Sequence, residues 1–434
     1  MPPSVEAHCP CGCELFFVPN EGRGPCNRTP EQFVCRLSVH VGEKLVPWAW
    51  CSQGKSVLVP YNLFASESVC SGHPDKVCDA VSDSILDAYL AGDPRSRVAV
   101  ETLVTKNRLI LAGEVTSTAV VDEEEVARQT IRHLGYTIPD YDFDDTCEIT
   151  RLTHKQSLEI AQGVDEGGAG DQGMMYGYAC RETEEYMPLP IMMAHALARC
   201  IDEARENKTL PFLRPDGKTQ VTVHYEDGRP VGVSGLVLAA PHDPTLSNDE
   251  VKEHLYNVVA VPVLGRYGFD VPFDRLVVNG TGVWHKGGPA SDTGLTGRKI
   301  IVDGYGGMAR VGGGAFSGKD PTKVDRSGAY ACRYVAKNIV AAGLADRAEV
   351  QVAYVIGQAN PLARSVETFG THKVSLDKIE EFAWECLDMS VAHILTALDL
   401  RRPIYHTTAA YGHFGKPDLP WERVVRTGVT ASAK

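Results

Sequence analysis

No apolar run in this 434-residue chain approaches the length needed to span a bilayer, which predicts a soluble protein without a helical membrane anchor. Basic residues are in deficit. Against 56 Asp and Glu stand 43 Lys and Arg, and the formal net charge of −13 argues against nonspecific binding to nucleic acid or acidic membranes. Any anionic substrate must then be met by locally concentrated cations. The 13 cysteines have neither an even total nor the regular spacing of a disulfide framework, which predicts reduced thiols and a cytoplasmic location. Close internal repeats are also missing. What remains is ordinary for a globular enzyme: 43% hydrophobic and 23% charged residues, in a chain long enough for two to four domains.

Residues 1–60 differ from the rest. They hold six of the cysteines, three of them crowded in Cys9-Pro-Cys-Gly-Cys13, a spacing unlike the well-attested zinc sites. Their longest apolar run, Leu15 to Val18, is too short for a signal peptide, and five acidic residues balance five basic ones, unlike a transit peptide. With no coherent period, the segment is expected to be a dispensable leader, with a small metal-binding appendage as the alternative.

The richest stretch is Gly312-Gly-Gly-Ala-Phe-Ser-Gly-Lys-Asp-Pro-Thr-Lys-Val-Asp-Arg326. Three glycines free the backbone to turn its amides inward around phosphate oxygens, Lys319 and Lys323 add cations, and Asp325 can hold a magnesium ion. Gly313 to Lys319 satisfies G-x-x-x-x-G-K, but Asp320 stands where a P-loop needs Ser or Thr. A strand is expected at Lys299 to Asp303, some distance before it. The plain alternative is a glycine-rich turn with Asp325 as an N-cap; the two lysines favour a polyphosphate site.

Earlier in the chain, Val77, Val81, Ile85 and Tyr89 recur at four-residue steps, predicting a helix from Pro74 with His73 and Asp75 at its anion-favouring N-terminus. Arg97 to Thr118 reads as a hairpin turning near Lys106-Asn107, which sets Glu101 opposite Ala112 and Glu114 diagonally on the same face. A helix over 122–134 follows. Glycines between 156 and 173 predict a mobile loop over 156–171. Further expectations are a helix from Met192 to Glu206, strands at Gln220 to Tyr225 and Glu349 to Ile356, and helices over 326–342 and 376–388. Trp284, framed by Gly280, Gly282, Gly287 and Gly288, is either core or a stacking platform for a base.

Four motifs in this order, Gly72-His-Pro-Asp-Lys76, Gly168-Ala-Gly-Asp-Gln-Gly173, Gly294-Leu-Thr-Gly-Arg-Lys299 and Gly312-Gly-Gly-Ala-Phe-Ser-Gly-Lys-Asp320, resemble S-adenosylmethionine synthetase. The resemblance runs from about Asn62 to Glu422. It implies an α/β (α+β) fold of three similar β-β-α type domains around a pseudo-threefold axis, at 61–160, 168–287 and 288–424. It further implies a homodimer or homotetramer with active sites at the subunit interface, ATP and L-methionine as substrates, two Mg²⁺ and one K⁺, and no nucleic-acid or membrane partner.

By the same resemblance, His73 lies beside the C5′ oxygen of ATP, and Lys218, Arg298 and Lys319 act with it on the triphosphate. Asp216, Val283, Trp284, Asp292, Lys299 and Ala315 complete the ATP site. Glu114, Gln156, Asp171, Asp292, Lys323 and Ile356 resemble the methionine site. Asp75 and Asp325 resemble magnesium ligands and Glu101 the K⁺ ligand. This sequence departs from the family in having Val283 where Arg is frequent, Ser71 for a common Glu, and a shorter loop between Gln162 and Gly170. A P-loop phosphotransferase and a noncatalytic regulatory subunit of the same fold are the competing readings.

Overall fold

The computed structural model describes residues 38–41, 44–47, 62–155 and 167–425. Gln156, most of the 156–171 loop and the six leader cysteines lie outside the described residues. The chain divides into two compact units, 1–55 and 56–434. In the first, β1 (Ser38–Val41) pairs antiparallel with β2 (Lys44–Pro47).

The second unit repeats one element order. Its first pass is β3 (Leu63–Val69), α1 (Pro74–Gly92), β4 (Arg97–Thr105), β5 (Arg108–Thr116), α2 (Glu123–His133) and β6 (Glu148–His154). The next is β7 (Gly173–Cys180), α3 (Leu189–Glu206), β8 (Lys218–Glu226), β9 (Arg229–Ala239), α4 (Asn248–Leu255), α5 (Val261–Arg266) and β10 (Leu276–Val278). The last is β11 (Gly294–Leu295), α6 (Ile300–Asp303), α7 (Val324–Ala341), β12 (Arg347–Tyr354), β13 (Ala363–Glu367), α8 (Leu376–Cys386) and α9 (Val391–Ala397).

Local sequence explains most of these elements. Pro74 opens α1, His73 caps it, and the four-step row Val77, Val81, Ile85 and Tyr89 is buried. Asn107, at φ +51°, makes the tight turn between β4 and β5, and Glu101 faces Ala112 while Glu114 faces Ala99, the expected register. Asp122 caps α2 by accepting from the Glu125 amide. One expectation is overturned. Lys299 to Asp303 is no strand; Ile300–Asp303 forms the helical turn α6, closed by the Asp303 amide donating to the Lys299 carbonyl at 2.8 Å. The β-branched run Ile-Ile-Val favours a strand locally, but Asp303 is drawn into the interior to meet Lys76.

Three sheets result, and each borrows a strand. Their orders are β11-β4-β5-β6, β3-β8-β9-β10 and β7-β12-β13. The opening strand of each pass thus lines up antiparallel with the hairpin of the following pass, and β11 of the last returns to β4 of the first. The long helix after each opening strand packs on the hairpin of its own pass: α1 on β4, α3 on β8, α7 on β12. In the first two sheets a helical crossover then adds a parallel strand, β6 beside β5 and β10 beside β9. The arrangement is threefold in its topology. Its helix on each sheet is the one preceding the hairpin, whereas α2 packs against α1.

One apolar cluster joins α1 and α7 with the sheets beneath them, and a second fills the space under α3. Charges between elements are buried in satisfied groups: Arg326 with Asp83, Lys76 with Asp79 and Asp303, and Arg333 and Lys337 with Glu422. Removing one partner from such a group would leave a buried charge uncompensated, at a cost of about 3–5 kcal/mol.

Candidate active site

The start of α1 gathers the first group of candidate residues. His73 is almost fully buried, and its Nδ1 accepts the Asp75 amide at 3.2 Å. Burial, then the cations of Lys299 and Lys218, push its pKa down to about 3. The Asp75 carboxylate lies 4.0 Å from the same nitrogen, but the ring is neutral near neutral pH. With Nδ1 accepting, the proton sits on Nε2, which is left as a donor. Asp75 accepts the Leu295 amide at 3.0 Å and pairs with Lys299. Burial raises its pKa, yet the Lys299 and Leu295 hydrogen bonds outweigh this and hold the carboxyl below its ordinary value.

Lys218, opposite Val69 where β8 meets β3, is exposed and near enough to His73 to depress its pKa. Asp216 is buried and accepts the Gly217 and Gly288 amides, each at 2.7 Å. Burial lifts it to about 6 despite those two donors. The 279–292 segment leaves Val283 and Asp292 exposed, and the half-buried Trp284 donates its indole N–H to the Lys286 carbonyl at 2.7 Å. Arg298 is exposed beside Lys299.

The glycine-rich segment forms the second group. Lys319 pairs with Asp325 at 2.6 Å, and Asp325 lies in the first turn of α7. Gly314 passes so close that a Cβ there would sit 2.4 Å from the Asp325 carboxylate. Lys323 turns instead to Asp320. Ala315 touches the loop carrying Arg298 and Lys299, at Gly297.

Both groups lie along one edge of β4. Leu295 pairs with Leu103, and Lys319 with Ala99, four residues further along. At roughly 3.3 Å per residue the two anchor points are about 13 Å apart. Glu114 sits across β4 from Lys319, paired with Ala99, and lies 3.5 Å from His154; Glu101 is exposed two residues on. Ile356 is exposed and bridges Ala169, two residues before the exposed Asp171. Cationic and anionic candidates are thus brought together, though in two groups rather than one.

Two features escaped the sequence reading. Asp320, which stands where a P-loop has its hydroxyl, is a buried brace that accepts the Val98 and Thr322 amides. Its Asp-x-Thr spacing is a local turn signal that could have been read. The second is a row of aspartates on α1. Asp75, Asp79, Asp83 and Asp87 accept backbone amides of Leu295, Gly297, Gly318 and Tyr405 in turn. Their four-residue spacing puts them on one helix face. That face holds the loops bearing Lys299 and Lys319.

Family models describe the same span. Residues 61–158 match the S-adenosylmethionine synthetase N-terminal domain, 166–284 its central domain and 286–423 its C-terminal domain. The chain is similar to the S-adenosylmethionine synthase of Desulforudis audaxviator, with 53% identity over 380 residues, covering 84% of this chain and 96% of the relative. That of Corynebacterium kroppenstedtii is 53% identical over 386 residues with the same coverage. That of Treponema denticola is 51% identical over 376 residues, covering 84% and 97%.

Proposed function

The chain belongs to the S-adenosylmethionine synthetase family and makes S-adenosylmethionine from ATP and L-methionine, and from that premise we propose how its own residues carry the reaction. The methionine sulfur is already nucleophilic, so its attack on ribose C5′ needs no deprotonating base. The obstacle is the departing triphosphate, later hydrolysed to phosphate and pyrophosphate, and preorganised donors lower that barrier. Neutral His73 offers its Nε2–H to the leaving C5′ oxygen. Lys218, Arg298, Lys299 and Lys319 grip the triphosphate, which is how a chain of net charge −13 holds a polyanion.

Asp216, Val283, Trp284, Asp292 and Ala315 are assigned to the nucleoside side of ATP. Glu114, Gln156, Asp171, Asp292, Lys323 and Ile356 are assigned to methionine. Asp75 and Asp325 would each hold one of two Mg²⁺, and Glu101 the single K⁺. The donor set suits magnesium, which commonly takes one or two carboxylates and completes its shell with water and substrate phosphate. Among the described residues no cluster of three or more His, Cys, Asp or Glu forms a self-sufficient metal cage. When bound, magnesium would neutralise charge on the phosphate oxygens.

From its membership of the family, a homodimer or homotetramer with active sites at the subunit interface is proposed. The seven cysteines among the described residues are free, which supports a reducing compartment such as the cytoplasm.

The observation that carries this reading is the pair of carboxylate–lysine contacts, Asp75 with Lys299 and Asp325 with Lys319, on one strand edge. Its test is incubation with ATP, Mg²⁺ and K⁺, with and without methionine. Methionine-dependent release of both phosphate and pyrophosphate is expected. Lys319→Met should slow S-adenosylmethionine formation by about 10²–10³, the usual effect of deleting one preorganised donor. An unchanged rate would make the glycine loop structural.

A further inference from the structure

The peptide joining Gly72 to His73 has both polar atoms engaged. Its N–H donates to the Cys70 carbonyl at 3.1 Å, and its C=O accepts the hydroxyl of Tyr136, 64 residues along the chain. Tyr136 follows α2 and is 1% exposed. Two edge-on rings hold it, Phe143 at 5.4 Å and Tyr141 at 6.3 Å between centroids. Burial, followed by the nearby Asp216 charge, drives the phenol pKa far above its ordinary value, so the hydroxyl stays protonated and a donor.

A second segment rests on the same hydroxyl. A Cβ on Gly288 would fall 2.2 Å from the Tyr136 oxygen, and Gly288 has φ +72°. Only glycine therefore fits both the space and the backbone there. The Gly288 amide is held by Asp216, and its carbonyl accepts the Ser291 and Asp292 amides at 2.9 and 3.2 Å. One phenol oxygen thus stands between the turn that carries His73 and the turn that carries Asp292.

We propose that Tyr136 is a positioning residue for S-adenosylmethionine formation: its hydroxyl sets the Gly72–His73 peptide, and with it the imidazole, against the loop bearing Asp292. This role rests on the assignment of His73 to the C5′ oxygen. Tyr136, 1% exposed, acts through that peptide and not on the reacting atoms. It governs whether the leaving oxygen, the His73 donor and the Asp292 side of the site come into line, and a misplacement near 1 Å can cost about 10²-fold in rate. Hydrolysis of triphosphate makes no demand at C5′, so that later step is indifferent to Tyr136.

The experiment uses the full chain and Tyr136→Phe, which keeps the ring and removes one hydrogen bond. Two rates are measured, S-adenosylmethionine formation from ATP and methionine, and hydrolysis of added inorganic triphosphate. Expected is a fall in kcat for synthesis of about tenfold to a hundredfold, with KM for ATP and methionine and triphosphate hydrolysis close to wild type. Parallel loss of both rates, or no loss of either, overturns the proposal. If Tyr136→Phe also lowers the melting temperature, Phe143→Leu supplies a control that loosens the same ring without touching Gly72. Synthesis preserved in that control supports the proposal, and an equal loss of synthesis overturns it. A wild-type chain that makes no S-adenosylmethionine would instead bring down the functional reading on which the role depends.

Discussion

His73 carries two roles that both require a neutral ring. As the N-cap of α1 it must accept a backbone amide, and beside Lys218 and Lys299 it must stay uncharged. With its folded pKa lowered to about 3 and an ordinary value of 6.5, the unfolded chain binds more protons between those limits. The contribution of His73 to stability is therefore complete above pH 6.5 and is lost as pH falls towards 3. His73→Asn retains an N-cap acceptor, so the fold should survive. Denaturant unfolding at pH 6.5, 5.5 and 4.5 should show a shallower loss of stability in the variant; parallel losses would mean that His73 is not held neutral. His73, Asp75, Lys319 and Asp325 stood out in the sequence because each lies in a short motif, and the Lys319–Asp325 contact spans only six positions, whereas Asp75 meets Leu295 and Lys299 from more than two hundred positions away. Tyr136 did not, since nothing near position 136 signals a carbonyl at position 72.

Segments were legible where their periodicity agrees with their surroundings. The β4–β5 register follows from a two-residue turn and alternating burial, and α1 from its four-step apolar row. At 299–303 the β-branched run departs from its local preference in a helical turn whose last residue, Asp303, is buried against Lys76, a contact 227 positions away that no local pattern signals. The glycine-rich loop permits a sharper test. Gly314 does not have a positive φ, so alanine there meets no backbone strain, and the atoms in its way belong to the Asp325 side chain. Gly314→Ala should fold normally while displacing that carboxylate. A Mg²⁺ titration of S-adenosylmethionine formation should then show half-saturation moved to several-fold higher metal, with the melting temperature little changed. An unaltered Mg²⁺ requirement would overturn the proposed assignment of Asp325 to magnesium.

Three sheets that each borrow a strand cannot melt one at a time. Losing β3 strips the edge from β8, and losing β11 strips it from β4. The division at 61–160, 168–287 and 288–424 is accordingly proposed as a division of sequence, not of separable bodies. Family models begin at residue 61, and residues 1–55 form their own compact unit. A chain starting at Val59 should therefore keep its turnover and unfold in one transition by calorimetry and circular dichroism alike. A large loss of turnover, or a second transition, would count against this view. Only the recurrence of β-β-α units was visible in the sequence. The exchange of strands was not, because each pairing joins residues more than a hundred positions apart.

The same exchange bears on what a protease would achieve. A single cut between residues 155 and 167 would part the peptide but not the particle. The amino-terminal piece contributes β3 to a sheet otherwise made by the carboxyl-terminal piece, and the latter contributes β11 to the amino-terminal sheet. Each fragment is stitched into the other, so the cleaved protein would migrate as two bands under denaturing conditions and as one species under native ones. Complementary fragments synthesised separately would find, in each other, the strands that neither can supply alone.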